Sequence, residues 1–112
     1  MIYVSVKGVV AVIFDAHCDA LYKLQKLNVS FTNSPHIETN FQRLQEGKVK
    51  IQCFALFADA ELTIEEKYNV IMKQVHLFYT EVLQKHSDIL QIKNWEDIST
   101  LGRHQIGAIL TL

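Results

Sequence analysis

The sequence predicts an α/β fold in which parallel strands are joined by helical crossovers. Three apolar segments rich in β-branched residues, at 9–14, 49–58 and 106–112, predict strands. Because each run is almost continuously apolar, we expect these strands to be buried on both faces. Segments with helical hydrophobic spacing separate them, and this alternation is typical of a parallel sheet with right-handed crossovers.

The composition is that of an ordinary globular domain and excludes several function classes. The chain has 112 residues, of which 49% are hydrophobic and 21% charged, so we expect one domain rather than a disordered or membrane-spanning chain. The formal net charge is −1, and the lysines and arginines are scattered along the sequence. We therefore expect neither nucleic acid nor a membrane surface as a partner.

Cysteine usage and the amino terminus predict a cytoplasmic location. Two cysteines, Cys18 and Cys53, are too few for a disulfide framework and fit a reducing compartment. Residues 1–12 are apolar, but Lys7 interrupts them and no basic segment precedes them, which argues against a signal peptide. No segment approaches the ~20 consecutive apolar residues that a membrane span needs.

Two short helices are predicted between the first two strands. Residues 19–27 have the spacing of an amphipathic helix. Residues 28–40 are polar and contain the only proline, so we expect a loop there. Residues 41–46 predict one or two helical turns that stop at Gly47, because glycine commonly ends a helix.

The strongest helix signal follows the second strand. Thr63 and Glu66 fit a capping box, in which each side chain accepts a hydrogen bond from a backbone N–H at the helix start. Residues 89–92 predict a short extended piece, and residues 95–101 a short helix with Asn94 as its N-cap. We expect the aromatic residues of the long helix to pack against the sheet. Its apolar residues recur at helical spacing at Ile64, Tyr68, Ile71, Met72, Val75, Phe78, Tyr79, Val82 and Leu83.

The residues that carry chemistry lie where the first apolar strand ends. Side chains two apart on a strand project to the same face, so we expect His17 and Asp19 to converge there. An imidazole and a carboxylate together can supply two ligands to one divalent metal. A second interpretation stays open, in which His17 is only a hydrogen-bonded residue and Asp19 caps the following helix. Asp15 is expected to point away and to make a structural hydrogen bond.

Three separated motifs carry a resemblance to a known family. FDAHCDALYKL, FQRLQEGKVKIQCFALF and IGAILTL, in this order over residues 14–112, resemble the opening of the membrane (renal) dipeptidase family. The resemblance implies a (β/α)8 TIM barrel with two zinc ions per complete enzyme. It also implies that His17 and Asp19 ligate one of these ions. The wider amidohydrolase barrels have H-x-H at this place, so Asp19 favours the dipeptidase branch.

By this resemblance, residues 1–112 are a single partial domain with about three of the eight strands. The family has a glutamate that bridges both metals just after the third strand, and the sequence ends at Leu112, before that glutamate. Residues 1–9 look like an extension. They are either a hairpin, with residues 2–6 as a half-buried strand and Lys7-Gly8 as its turn, or the product of a misplaced start codon.

The activity implied by the resemblance is metal-assisted hydrolysis of a dipeptide, in which two metals activate a bridging water. We expect the chain alone to hold at most half of the zinc site, to contain no complete catalytic set and to be inactive. Two alternatives are a non-catalytic interaction module derived from a dipeptidase and another amidohydrolase-type hydrolase. We also expect self-association through exposed strand edges, because an unpaired edge can pair with another chain.

Both cysteines, and the histidines other than His17, are expected to have structural roles. Cys18 should face away from the ligands and pack, Cys53 should be a small buried hydrophobe, and a disulfide between them is disfavoured. His36, in the proline-containing loop, could reach over the barrel mouth, although we expect that it does not. Solvent-exposed or helix-end positions are expected for the others, which are His76, His86 and His104.

Overall fold

A single sheet organises the chain. The computed structural model describes residues 2–6 and 9–112, with side chains described from Ile13 onward. From one edge to the other, the strands are β1 (Ile2–Val6), β2 (Val9–Asp15), β3 (Val49–Ala55), β5 (Ile106–Thr111) and β4 (Ile89–Gln91). β1 pairs antiparallel with β2, whereas β2, β3, β5 and β4 are parallel to one another.

This topology confirms the predicted parallel sheet with helical crossovers and is consistent with part of a TIM barrel. The segment predicted as a short extended piece forms β4 and joins the sheet, so four strands are parallel rather than three. Val6 lies opposite Val9 in the antiparallel pair, as in a hairpin. The predicted turn at Lys7-Gly8 lies outside the described residues.

In the described part of the chain, four helices connect the strands. Three of them begin with a side-chain cap, and the sequence predicts two of these caps, at Thr63 and Asn94. Asn40 accepts a hydrogen bond from the Arg43 N–H, and Thr63 and Glu66 form the predicted capping box. Asn94 forms a second capping box, with Asp97. The helices are α1 (Ala20–Leu27), α2 (Phe41–Glu46), α3 (Ile64–Leu77) and α4 (Trp95–Ser99).

Two helix ends differ in detail from the prediction. α2 stops at Gly47 as expected, but Gly47 has φ −79° and the following Lys48 takes the left-handed conformation, with φ 55°. α3 does not run as an α-helix to Leu83. It continues as a π-helical segment, Phe78–Leu83, in which the Gln84 N–H donates to the Tyr79 carbonyl.

The core lies between the sheet and the helices, centred on Phe54 of β3. Phe54 packs against Phe31 from the loop after α1 and against Phe78 from the end of α3, with ring centroids 5.6 and 5.4 Å apart. The three rings are at most 1% exposed. Burying each aromatic side chain contributes roughly 1.5–3 kcal/mol, so this cluster fixes the helices on one face of the sheet.

The expectation that the aromatic residues of α3 all pack against the sheet is wrong for both tyrosines. Phe78 is fully buried, but Tyr68 is 64% and Tyr79 39% exposed. Ile64, Tyr68 and Met72, spaced four residues apart, form an exposed apolar stripe along α3. Helical spacing identifies an apolar surface but not what covers it. In a barrel, the helices form an outer ring and also pack against neighbouring helices.

No helix in the described part of the chain is both long enough and apolar enough to cross a membrane.

Candidate metal centre

The predicted site lies at the carboxyl end of β2. β2 ends at Asp15, and residues 16–19 connect it to α1. This connection is tied to the neighbouring strand at Cys18. The Cys18 N–H donates to the Cys53 carbonyl at 3.1 Å, and the Cys18 carbonyl accepts from the Ala55 N–H at 3.0 Å. The site therefore rests on a short connection that is hydrogen-bonded to the sheet on both sides of one residue.

This connection contains one residue more than a regular strand would. Asp15 lies opposite Gln52 of β3, and the two hydrogen bonds of Cys18 place it opposite Phe54. Three steps along β2 therefore match two steps along β3, which is the geometry of a β-bulge. The prediction treated these residues as a regular strand, whereas the extra residue shifts the hydrogen bonds to β3 from His17 to Cys18.

His17 and Asp19 converge as predicted. His17 Nε2 lies 2.9 Å from Asp19 Oδ1, and the two side chains are 65% and 54% exposed. The alternative in which Asp19 caps α1 is not supported, because Asp19 stands at the N-cap position without a side-chain capping hydrogen bond. Its carboxylate contacts the His17 imidazole instead, and both side chains are accessible to solvent.

Asp15 does not point away from this pair, as the sequence analysis expected. It lines the same pocket as His17 and Asp19. Asp15 lies two residues before His17, so strand alternation already favours the same side. The predicted structural hydrogen bond is present: Asp15 Oδ1 accepts from the backbone N–H of His17 at 3.2 Å.

The pocket around the pair has a volume of about 270 Å³. Its charged lining includes Lys23 of α1 and Glu38 from the loop after α1, whose side chains form an ion pair at 3.2 Å. Asp15, Asp19 and Glu38 together give the lining three carboxylates against one lysine. The resulting negative potential favours a cation in this pocket.

Glu38 was not predicted, because a long loop carries it to the site. Ile37 is 1% exposed and anchors the loop in the core. Arg43 Nη1 donates to the backbone carbonyls of Ile37, at 2.6 Å, and Glu38, at 3.0 Å. These contacts join residues that only the tertiary fold brings together, and no spacing in the sequence signals them.

The two thiols pack in the interior, although Cys18 also lines the pocket. Cys18 lies opposite Phe54 and belongs to the core cluster on the helix side of the sheet. Cys53 is the neighbour of Phe54 on β3, so its side chain faces the other side of the sheet. Both are free, as predicted. Burial raises the pKa of the Cys18 thiol to about 12, and burial also raises the pKa of Cys53. Both sulfurs are therefore protonated at neutral pH in the metal-free chain, as expected for packing residues.

The chemistry of the His17–Asp19 pair fits zinc. Two ligands held by one tetrahedral zinc ion at ~2.0–2.1 Å lie ~3.3 Å apart. The facing atoms are 2.9 Å apart in exposed side chains, so a small separation is enough. In the described part of the chain, no group of three or more His, Cys, Asp or Glu side chains could hold a metal ion. The described residues therefore offer a pair of ligands and not a closed site.

The other histidines do not join this pocket. His36 is exposed and absent from the pocket lining, although Glu38 and Thr39 of the same loop line it. His76 and His104 are exposed, as expected. His86 is buried, at 5% exposed, so a solvent-exposed position is wrong for it. It does have a helix-end role, since its Nδ1 contacts the Val82 carbonyl at 2.8 Å.

The fold and the site place this chain among α/β proteins that carry an imidazole–carboxylate pair at the carboxyl edge of a parallel sheet. The sequence model of the family described as membrane dipeptidase, peptidase family M19, matches residues 8–112. The chain belongs to this family, whose members are peptidases and therefore hydrolases. No individually curated protein matches the chain.

Proposed function

We propose that this chain supplies the first ligand pair of a zinc-dependent dipeptidase, with His17 and Asp19 binding one zinc ion. The observation that carries the proposal is the 2.9 Å approach of His17 Nε2 to Asp19 Oδ1 at the carboxyl edge of the sheet. The family match supports dipeptide hydrolysis rather than the other amidohydrolase chemistries. The complete enzyme would hold two zinc ions, of which this chain contributes ligands to one.

Each residue of the pair has a distinct part in metal binding. The His17 imidazole would offer a nitrogen lone pair, and the Asp19 carboxylate an oxygen whose charge offsets that of the cation. Glu38 adds negative charge to the lining of the pocket. Bound zinc would supply Lewis acidity and a water whose pKa is lowered to ~7. The pair alone does not orient a dipeptide, so we expect no hydrolysis by these 112 residues.

Zinc titration tests the proposal directly. We expect calorimetry to show one zinc ion bound per chain, and His17→Ala and Asp19→Ala each to weaken binding at least tenfold, because each removes one of two ligands. His36→Ala is the matched control, since it removes an exposed imidazole that does not line the pocket. The control should bind zinc as the unsubstituted chain does.

Two results would contradict the assignment. One is the same zinc affinity in all four proteins, which would place the metal elsewhere. The other is no zinc binding by the unsubstituted chain, which would remove the ligand pair as a preformed site. Circular dichroism of each variant shows whether its fold is retained.

Three further expectations stay predictions. The first is a cytoplasmic location, which rests on the two reduced cysteines. The second is that the substrates are dipeptides, and the third is that the protein does not associate with nucleic acid or membranes. An interaction module derived from a dipeptidase remains the alternative. A dipeptidase assay on the complete protein separates that alternative from the enzyme.

A further inference from the structure

The bulge between β2 and α1 removes the normal hydrogen-bond partners of His17. Asp15 is the last residue of β2 in register with β3, opposite Gln52. The next acceptor along β3, the Cys53 carbonyl, is taken by the Cys18 N–H. The extra residue therefore leaves the backbone N–H of His17 outside the ladder of the sheet.

Asp15 supplies the acceptor that the sheet does not. The His17 backbone N–H donates to Asp15 Oδ1 at 3.2 Å. The acceptor is therefore the side chain of the last strand residue, two positions before His17. This local closure competes with continued strand pairing. It holds the backbone of His17 away from β3, while Cys18 is tied down immediately afterwards.

We propose that Asp15 is the positioning residue for His17. Its carboxylate fixes the bulge and thereby turns the His17 imidazole toward Asp19. The inference rests on the proposed zinc function, because it concerns how the ligand pair is held ready for the metal. Asp15 acts through the backbone of His17 and does not itself need to touch the ion.

A positioning role of Asp15 and a purely electrostatic role predict different effects of substitution. Asn keeps a side-chain oxygen that can accept from the His17 N–H, whereas Ala removes it. Asp15→Asn and Glu38→Gln each remove one negative charge from the lining of the same pocket. If Asp15 acts by position, Asp15→Ala loses zinc affinity and Asp15→Asn retains most of it. If Asp15 acts only by charge, both Asp15 variants lose as much affinity as Glu38→Gln.

The first measurement is zinc affinity by calorimetry for the unsubstituted chain and these three variants. We expect Asp15→Ala to bind zinc ~10–100-fold more weakly, the range typical of residues that orient a metal ligand. Asp15→Asn should lie within about threefold of the Glu38→Gln control. Equal affinity in Asp15→Ala and Glu38→Gln would overturn the inference. Thermal unfolding midpoints should change little, since Asp15 lies at the end of its strand.

The second measurement needs no metal. Amide hydrogen exchange by NMR should show the His17 N–H protected in the unsubstituted chain and in Asp15→Asn, and exchanging faster in Asp15→Ala. Nitrogen chemical shifts of the imidazole should show the contact with Asp19 weakened only in Asp15→Ala. Equal His17 exchange in all three proteins overturns the role of Asp15, whether or not zinc binds. Absence of zinc binding with the expected exchange pattern overturns the zinc assignment alone.

Discussion

His86 is buried, although its position just beyond a predicted helix favoured an exposed or helix-end role. Its Nδ1 lies 2.8 Å from the Val82 carbonyl, and its Nε2 lies 2.9 Å from Thr32 Oγ1, 54 residues away in sequence. The ring also packs against Phe31 and Phe41, with centroids 5.7 and 4.5 Å apart. Each ring nitrogen therefore has a hydrogen-bond partner. His86 therefore ties the loop that carries Glu38 to the end of the π-helical segment.

Replacing His86 tests this role at the residue scale. We expect His86→Ala to lower the free energy of unfolding by ~2–4 kcal/mol, because it opens a cavity and leaves buried polar groups unpaired. Urea denaturation measures the loss. His76→Ala is the control, since His76 is an exposed histidine on α3 and should change stability by less than ~0.5 kcal/mol. Similar losses in the two variants would contradict a special role for His86.

At the scale of the element, α3 shows why a local capping signal is dependable. The Thr63 hydroxyl accepts from the Glu66 N–H at 3.2 Å, and Glu66 Oε1 accepts from the Thr63 N–H at 3.1 Å. These hydrogen bonds lower the pKa of the Glu66 carboxyl. All four groups lie within one turn, so the sequence spacing alone brings them together. This contribution of Glu66 is present above its unfolded pKa, and it is lost as the pH falls through the lower folded value.

Removal of the cap gives the prediction for this element. We expect Thr63→Ala to lower the free energy of unfolding by ~1 kcal/mol, because one helix N–H loses its acceptor. Thermal unfolding followed by circular dichroism measures the change. Asn69→Ala, at an exposed position of the same helix, should cause no loss, since alanine has the higher helix propensity. Destabilisation by Asn69→Ala but not by Thr63→Ala would refute the capping role.

At the scale of the whole molecule, β5 has an incompletely paired edge. β4 covers only its first half: the Ile106 N–H donates to Asp88 and the Ala108 carbonyl accepts from Ile92. Alternate residues of a strand face the same neighbour, so the backbone of Leu110 faces this edge beyond the end of β4. Leu112, just past the strand, is 98% exposed. An apolar open edge can pair with a second chain.

We therefore expect the 112-residue chain to self-associate through this edge. Light scattering coupled to size-exclusion chromatography should show a mass that rises with concentration. Leu112→Lys should shift the population toward monomer, because lysine on an edge disfavours pairing. Leu27→Lys is the matched control at another exposed leucine, 49% exposed on α1, and should leave the mass unchanged. A monomer at every concentration would show that the edge does not pair.

Features that depend on near neighbours in the chain could be predicted from the residues alone. These features are the order of strands and helices, the caps at Thr63 and Asn94, and the end of α2 at Gly47. They all follow from contacts within a few residues. The pairing of His17 with Asp19 was predictable for the same reason, because the two residues are only two positions apart.

Features that depend on contacts between distant residues could not be predicted, because the folded chain brings those residues together. The bulge at His17 exists because Cys18 bonds to β3, which the local sequence does not contain. Glu38 reaches the pocket, and His86 becomes buried, through contacts across 15 and 54 residues. Tyr68 has the spacing of a core residue but is exposed, because periodicity defines a helix face and the packing of other elements decides whether that face is covered.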